Sequence, residues 1–321
     1  MKVVILAAGY ATRLYPLTLT QPKPLLPVAG KPMIEHVLDN LAAIDSLGRI
    51  YVVTNNKFAG HFQRWADHYR ATKAPLDLTI VNDGSTDDSN KLGAIGDLHL
   101  VLTRERIDDD LIVVAGDNLF SEPLRDFGRV CREKGTPVLA VYDVGDLEQI
   151  KKYNAITLDP QGRITFFEEK PRQPSSTLTG IALYFYPKNA LPLIRQYVNE
   201  GNNPDQPGRL VQWLYSRVPV YTWKVPGLWY DIGSKETLEE ANRMIVADKS
   251  MAADLLVTSE GGGLTREEIV EVLNDPHVKF TTTPENVMKY AEFMQDSGSL
   301  KNRPGSWKDL FFPEIQAVPG S

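Results

Sequence analysis

Short apolar runs alternate with amphipathic segments along the first 145 residues, and this alternation limits the folds that the chain can adopt. The apolar runs predict strands at 3–8, 50–54, 78–81, 111–115 and 137–142. Apolar residues at helical spacing predict helices at about 33–41, 58–68, 92–102 and 124–132. Strands that alternate with helices imply a mostly parallel sheet covered on both faces, with ligands at the carboxyl ends of its strands.

Beyond residue 150 the pattern changes to strands in succession. Strands are predicted at 155–158, 163–169, 178–186 and 218–224, and helices at 188–200, 207–217 and 235–248. This order predicts an antiparallel addition to the same sheet, closing over the first half as a second lobe. We therefore expect one domain over 1–248, with two parts at about 1–145 and 146–248.

The character of the chain shifts again after residue 248. Glu260-Gly-Gly-Gly263 indicates a flexible break, so that 249–263 is expected to be a linker. Thr265-x-x-Glu268 ahead of apolar residues is typical of a helix start, and a further helix is predicted at 284–295. With aromatic anchors at Trp307, Phe311 and Phe312, these features predict an accessory segment over 264–321.

The charge balance excludes some classes of partner. The chain has 35 basic and 41 acidic residues and a net charge of −6, which argues against a general binder of nucleic acid or anionic membranes. Any phosphate site must therefore be local. The first residues show neither a basic segment nor a cleavage motif, and about 18 apolar residues never run together, so we expect a cytoplasmic protein.

A candidate phosphate-binding loop follows the first predicted strand, in Leu6-Ala-Ala-Gly-Tyr-Ala-Thr-Arg-Leu14. Small residues at a strand end leave backbone N–H groups free for phosphate or base edges. Arg13 and, ten residues later, Lys23 supply the cations that a triphosphate needs. A plain tight turn with solvated cations explains the glycine turn alone, but not its combination with the proline-rich segment around Lys23.

The two segments together resemble the signature of the sugar-phosphate nucleotidyltransferase family, which includes glucose-1-phosphate thymidylyl- and uridylyltransferases. That signature is G-x-G-T-R-L, then P-K-x-L-x-P-V and K-P. The matching residues are GYATRL, Pro22-Lys23, Leu25, Pro27-Val28 and Lys31-Pro32. The resemblance covers about 1–248 and continues in Ala115-Gly-Asp-Asn118, Glu168-Glu-Lys-Pro171 and Trp229-Tyr-Asp-Ile-Gly233. One departure is Ala11, which replaces the second glycine of the loop.

The resemblance implies a three-layer α/β/α fold of the Rossmann-like nucleotide-diphospho-sugar transferase type. In this fold the sheet is mixed and mostly parallel. The fold is followed here by a small carboxyl-terminal extension that is helical and irregular. The resemblance also implies Mg²⁺ as the cofactor, held by Asp117 and Asp231. An isolated aspartate after a strand is otherwise a helix cap or a turn former.

The resemblance further implies three sets of site residues. Arg13, Lys23 and Lys170 are the catalytic cations, on the leaving pyrophosphate, the transferring phosphate and the attacking phosphate. The sugar-phosphate-binding residues are Tyr153, Asn154, Glu169, Lys170 and Thr177. The nucleotide-binding residues are Ala7, Ala8, Gly9, Tyr10, Ala11, Thr12, Arg13, Asn82, Asp83, Gly84, Gly93 and Asp117.

The base-reading region is expected at Asn82-Asp-Gly-Ser-Thr86 and at Leu92-Gly-Ala-Ile-Gly-Asp-Leu98, where relatives carry L-G-T-A-G-A-L. Asn and Asp side chains can read a nucleobase edge by hydrogen bonds. Thymidylyl- and uridylyltransferases typically use Gln here, and neither of these two segments contains Gln, so the identity of the base stays open. Asn154 stands where relatives carry glycine, which leaves the acceptor sugar open as well.

The tail carries a different resemblance. Its runs GLTREEI, TPENVMKYAEFM and SWKDLFFPEI are similar to the carboxyl-terminal end of periplasmic substrate-binding proteins of the nitrate, sulfonate and taurine transport type. About 70 residues cannot rebuild that two-lobed domain. We therefore expect an appended segment that packs on the catalytic domain or on a neighbouring subunit, rather than a transporter component.

The function that the resemblance implies is the condensation of a nucleoside triphosphate with a sugar 1-phosphate, giving a nucleoside diphosphate sugar and pyrophosphate. The expected partners are these two substrates, with no nucleic acid and no membrane, and a homo-oligomer by analogy. The alternative is an inactive regulatory homologue that binds a sugar nucleotide. Ala11 and Asn154 favour this alternative slightly, and the intact set of cations and metal ligands disfavours it more.

Overall fold

The computed structural model describes residues 1–72, 76–247, 265, 287–296 and 304–310. The chain divides into two compact units, Met1–Met244 and Ile245–Ser321. The predicted linker, the predicted helix after Thr265 and the anchors Phe311 and Phe312 lie outside the described residues. None of the helices in the described part of the chain is long and apolar enough to cross a bilayer.

The strands of the first unit are short. They are β1 (Lys2–Leu6), β2 (Pro27–Val28), β3 (Lys31–Pro32), β4 (Ile50–Thr54), β5 (Leu78–Asn82), β6 (Leu111–Ala115), β7 (Asn118–Phe120), β8 (Val138–Asp143), β9 (Asn154–Leu158), β10 (Ile164–Glu169), β11 (Leu178–Tyr186), β12 (Tyr221–Lys224) and β13 (Trp229–Asp231). Most of them coincide with the predicted strands within one to three residues.

The helices alternate with these strands as the apolar spacing predicts. They are α1 (Met33–Ala42), α2 (Ala59–Thr72), α3 (Ala94–Arg104), α4 (Arg125–Lys134), α5 (Leu147–Ile150), α6 (Leu191–Asn199), α7 (Pro207–Leu214) and α8 (Lys235–Ala247). In the second unit, α9 (Val287–Asp296) falls on the helix predicted at 284–295, and a 3₁₀ turn spans Trp307–Leu310.

Seven strands form the main sheet in the order β12-β8-β11-β6-β1-β4-β5. Neighbours among β6, β1, β4 and β5 run parallel, whereas β11 runs antiparallel to both β6 and β8. The sheet is therefore mixed and mostly parallel, as expected. One expectation is wrong: β9 and β10 do not join this sheet but pair with each other, as an antiparallel hairpin.

Two apolar cores cover the two faces of the main sheet, because successive residues of a strand point to opposite faces. Val3 and Ile5 of β1 belong to the core shared with α1, α2 and α4. Val4, between them, belongs to the core shared with α3, α6 and α7. All three residues are fully buried. Burying a side chain of this kind contributes about 1.5–3 kcal/mol, which makes the centre of the sheet a rigid support for the loops at its carboxyl edge.

The Gly128→Ala substitution tests how tightly α4 packs on this core. A Cβ atom at Gly128 would lie 2.4 Å from Cγ2 of Ile44, so that the helix must shift. We expect a loss of about 1–3 kcal/mol in the free energy of unfolding, measured by urea titration. Gly60→Ala in α2 is the matched control, since its nearest atom would be 3.6 Å away, and it should stabilise by about 0.5–1 kcal/mol. Equal effects at the two glycines would contradict the packing argument.

Candidate active site

A cavity of about 560 Å³ opens at the carboxyl edge of the main sheet, beyond the ends of β1 and β6. Ligands of open α/β sheets bind at this edge. Most of the residues predicted for the site line the cavity, namely Ala8, Gly9, Tyr10, Ala11, Thr12, Arg13, Gly93, Asp117, Tyr153, Asn154, Glu169 and Asp231. The predicted residues outside its lining are Ala7, Lys23, Asn82, Asp83, Gly84, Lys170 and Thr177.

The loop after β1 forms one wall of the cavity, and hydrogen bonds from neighbouring elements fix its shape. The amide of Asn55 donates to the carbonyl of Ala8 at 2.8 Å, and the hydroxyl of Thr18 donates to the carbonyl of Ala11 at 2.8 Å. Ala11 itself has φ 49° and ψ 45°, the left-handed conformation that favours glycine. The motif G-x-G-T-R-L has its second glycine at this position, because glycine adopts the left-handed conformation without a steric penalty.

The opposite wall carries the two predicted metal ligands. β13 pairs with β7, and the register sets Asp231 opposite Asn118, the residue after Asp117. The apolar pattern predicts no strand at 229–231, whereas the structure shows one there that brings two distant carboxylates together. The Trp229 indole N–H donates to Asn118 at 2.7 Å, and the Asn118 amide donates to Asp117 at 3.1 Å. Lys23 completes the group, with its Nζ atom 2.5 Å from Oδ2 of Asp117.

The donor set at this wall fits a divalent cation. Burial and the charge of Asp117 raise the pKa of Asp231, and Lys23 and Arg13 offset part of that rise. Two carboxylates that repel each other in this way can both ionise when a cation lies between them. Mg²⁺ binds through one or two carboxylates and keeps positions for water and phosphate oxygens. Since no group of three candidate ligands occurs within the described ranges, an all-protein cage is not formed there.

The hairpin of β9 and β10 forms the far end of the cavity. Asn154 is buried, and its side chain is committed to the backbone of β11: its amide donates to the carbonyl of Gly180 at 3.0 Å, and its oxygen accepts from the Gly180 N–H at 2.7 Å. Glu169 lines the cavity, while its Oε2 atom is buried and has no hydrogen-bond partner in the described structure. Burial raises the pKa of Glu169, and Lys170 and Arg209 partly offset the rise.

Two further predicted residues lie beside this end rather than in its lining. Lys170 has φ 49° and its backbone N–H donates to the carbonyl of Tyr153, while its side chain is exposed. The carbonyl of Thr177 accepts from the N–H of Val144, and its hydroxyl bonds the carboxylate of Asp143. Thr177 therefore serves the turn before β11.

The predicted base-reading residues at 82–84 lie outside the lining of the cavity and are engaged in a turn. The Asn82 amide donates to Asn56 at 2.8 Å, and its oxygen accepts from the Gly84 N–H at 2.9 Å. Asp83 accepts from the N–H and the hydroxyl of Ser85, at 2.7 Å and 2.8 Å. The aspartate of the expected base-reading region that lines the cavity is Asp97 of α3, which lies within the predicted segment 92–98 but has no separate role in the prediction. The sequence feature that distinguishes Asp97 is that it replaces the second alanine of the motif L-G-T-A-G-A-L.

Asp97 is an unusual residue for a buried position, with only 5% of its surface exposed. Its carboxyl group lies within hydrogen-bonding distance of the Asp83 carboxyl. Burial and the charge of Asp83 raise the pKa of Asp97 to about 8. At neutral pH the Asp97 carboxyl group therefore keeps its proton, because its ionised form would be buried next to a second carboxyl group.

The chain belongs to the family described as Nucleotidyl transferase, whose model matches residues 2–248. It is 30% identical over 258 residues to the glucose-1-phosphate thymidylyltransferase of Streptomyces antibioticus, covering 77% of this chain and 67% of that protein. It is 25% identical over 246 residues to Bifunctional protein GlmU of Methanocaldococcus jannaschii, covering 77% of this chain. The chain spans about half of that relative, with 54% of its length covered.

Among solved structures, UDP-glucose pyrophosphorylase complexed with UDP-glucose has a TM-score of 0.65 and 22% identity with this chain. The similarity covers 77% of this chain and 98% of that one. At this identity the likeness shows the fold, and it confirms the Rossmann-like α/β architecture expected from the sequence.

The Ala11→Gly substitution tests the backbone strain in the loop. Glycine adopts φ 49° without the Cβ clash of an L-residue, and we expect the free energy of unfolding to rise by up to about 1 kcal/mol in urea titrations. Ala8→Gly in the same loop is the control, because Ala8 is not among the residues with positive φ. It should lower stability through the added freedom of the unfolded chain, and a gain at both positions would contradict the strain argument.

The Asp97→Asn substitution tests the buried acid through the pH dependence of stability. The pKa of Asp97 is about 8 in the folded protein and about 3.9 in an unfolded chain, so the wild type loses stability as pH rises through this interval. The variant has no such loss. We expect little difference at pH 4 and a gain of a few kcal/mol, on the order of one per pH unit, approaching pH 8. Asp88→Asn, at an exposed aspartate, should show no such trend in parallel urea titrations.

Proposed function

We propose that this chain joins a nucleoside triphosphate to a sugar 1-phosphate, giving a nucleoside diphosphate sugar and pyrophosphate. The observation that supports this most is the joining of β7 and β13, which gathers Asp117, Asp231 and Lys23 against the loop that carries Arg13. The same cavity is lined by the loop after β1 and by Tyr153, Asn154 and Glu169. It therefore suits two phosphorylated substrates that meet at the paired carboxylates.

In the proposed reaction an oxygen of the sugar phosphate attacks the α-phosphorus of the triphosphate. A new P–O bond forms, the bond from the α-phosphorus to the bridging oxygen breaks, and pyrophosphate leaves with that electron pair. The nucleophile is already an anion, so no general base is required. Catalysis then depends on positioning the two substrates and on neutralising their negative charge.

The cations have separate parts in this scheme. Lys23 neutralises charge at the transferring phosphate, and its ion pair with Asp117, which lines the cavity, holds the ammonium group beside the cavity before substrate arrives. Arg13 holds the leaving pyrophosphate from the loop after β1. Lys170 orients the attacking phosphate, and the neighbouring Glu169, which lines the cavity, contacts the sugar hydroxyls.

Asp117 and Asp231 are the residues that would hold Mg²⁺. A bound Mg²⁺ supplies positive charge to phosphate oxygens of both substrates. Asn118 fixes the orientation of Asp117 through its amide, and Trp229 fixes Asn118 in turn. This chain of hydrogen bonds keeps the Asp117 carboxylate aimed at the cavity.

The test is pyrophosphate release by the purified protein with Mg²⁺, over a grid of dTTP, UTP, CTP, GTP and ATP against sugar 1-phosphates and phosphocholine. We expect at least one active pair. Lys23→Ala and Asp117→Ala should each lower kcat by about 10²- to 10³-fold, the effect of removing one electrostatic group. Lys188→Ala is the matched control, because Lys188 pairs with Asp108 at 2.8 Å outside this cavity, and its rate should be unchanged.

An unchanged rate in Lys23→Ala or Asp117→Ala would remove that residue from the proposed mechanism. If no pair on the grid releases pyrophosphate while the protein still binds nucleotide, the alternative of an inactive regulatory homologue that binds a sugar nucleotide is favoured instead. Unfolding curves of each variant separate a lost catalytic group from a lost fold.

A further inference from the structure

A glycine in the wall of the cavity has no assigned part in the proposed reaction. Gly208 is the second residue of α7, it is buried, and it lines the cavity together with Glu169. A Cβ atom at this position would lie 2.1 Å from the Oε2 atom of Glu169 and 3.1 Å from its carboxyl carbon. The carboxyl group of Glu169 therefore occupies the space that the side chain of any other residue at 208 would fill.

This contact decides which oxygen of Glu169 a ligand can reach. The Oε2 atom is buried and has no hydrogen-bond partner in the part of the chain that the structure describes, so it is packed against Gly208 rather than bonded to a donor. Glu169 nevertheless lines the cavity. The other oxygen, Oε1, is therefore the one that is left for a ligand in the cavity.

Neither the backbone nor the helix requires a glycine at 208. Gly208 is not among the residues with positive φ, so that alanine fits its backbone conformation. Alanine is also the more stable residue inside a helix. The atom nearest to the added Cβ is the end of a flexible side chain, and Glu169 relieves the overlap by rotating while α7 stays in place. The cost of a side chain at 208 therefore falls on the orientation of Glu169 and not on the fold.

We propose that Gly208 is a positioning residue for the acceptor substrate: its lack of a side chain keeps the Glu169 carboxylate turned toward α7, so that Oε1 accepts a hydrogen bond from a hydroxyl of the sugar phosphate. A side chain at 208 displaces the carboxylate, and this hydrogen bond is lost. Gly208 acts through Glu169 and does not touch the reacting atoms. The inference rests on the proposed use of this cavity for a sugar 1-phosphate.

The experiment is the Gly208→Ala substitution, assayed with the nucleoside triphosphate and sugar 1-phosphate pair that is active on the grid. The KM for the sugar 1-phosphate should rise by about 10- to 100-fold, the effect of losing one hydrogen bond to a charged group. The kcat and the KM for the nucleoside triphosphate should be unchanged, because the lost contact concerns binding of the acceptor alone. Gly60→Ala is the matched control: Gly60 is also the second residue of its helix, α2, and its added Cβ would lie 3.6 Å from the nearest atom, so both KM values should stay the same.

A double-mutant cycle identifies Glu169 as the group through which Gly208 acts. Glu169→Ala should raise the KM for the sugar 1-phosphate by itself, and adding Gly208→Ala to it should have no further effect, because the carboxylate to be displaced is gone. Urea titrations of the same variants test the contact without any ligand. Gly208→Ala should raise the urea midpoint more in the Glu169→Ala background than in the wild type.

The outcomes separate this inference from the proposed reaction. An unchanged KM for the sugar 1-phosphate in Gly208→Ala, or an equal rise with and without the Glu169 side chain, would overturn the inference and leave the reaction standing. If no pair releases pyrophosphate, glucose 1-phosphate and mannose 1-phosphate are titrated into the same variants by calorimetry. Binding that Gly208→Ala weakens only when Glu169 is present would support the positioning role while the proposed reaction fails, and absence of any sugar 1-phosphate binding to the wild type would overturn both.

Discussion

The repulsion between Asp117 and Asp231 is the interaction on which the arrangement of the cavity depends. Two carboxylates that face each other at the edge of a sheet destabilise the fold unless cations compensate them. The chain supplies Lys23 in direct contact and Arg13 close by. The strand pair β7 and β13 holds the carboxylates together in spite of their charge, and the apolar core beneath the sheet provides the stability that this requires.

A second acidic pair, Asp97 in the lining of the same cavity and Asp83 beside it, has a different chemistry. The first pair is flanked by Lys23 and Arg13 and is suited to binding a cation. In the second pair, burial and the charge of Asp83 raise the pKa of Asp97 to about 8, so that Asp97 retains its proton at neutral pH. Aspartates around one cavity thus differ in charge state. Separation of this kind follows from environment alone, because the side chains are identical.

The sequence predicts the fold well because its dominant signal is local. The spacing of apolar residues reflects which face of a helix or strand is buried. Strands β4, β6 and β11 lie where the apolar runs predict them. The errors concern pairing between distant segments. The hairpin of β9 and β10 lies outside the main sheet, and β13 is a strand that the sequence does not predict, because the partners of a strand depend on contacts that no local pattern records.

The site shows the same division. Motif spacing identifies the loop after β1 and the two aspartates, because backbone geometry or charge restricts which residue types fit these positions. Ala11 illustrates the restriction by geometry, since it lies in the left-handed conformation. Asp97 escapes motif reading because an aspartate in the first turn of a helix is an ordinary helix residue until its burial is known. Its raised pKa depends on burial and on contact with Asp83, fourteen positions earlier in the chain.

The amide of Asn154 has a mechanical consequence for the whole cavity. Its two hydrogen bonds to the backbone of Gly180, with a third from the Thr179 hydroxyl at 3.2 Å, join the start of the small hairpin to β11 of the main sheet. The turn of the hairpin is joined to the same sheet at β12, where the Ile164 N–H donates to Val220 and the Thr222 N–H donates to Gly162, both at 2.9 Å. Because it is held at both ends, the hairpin is a fixed wall of the cavity rather than a hinged flap.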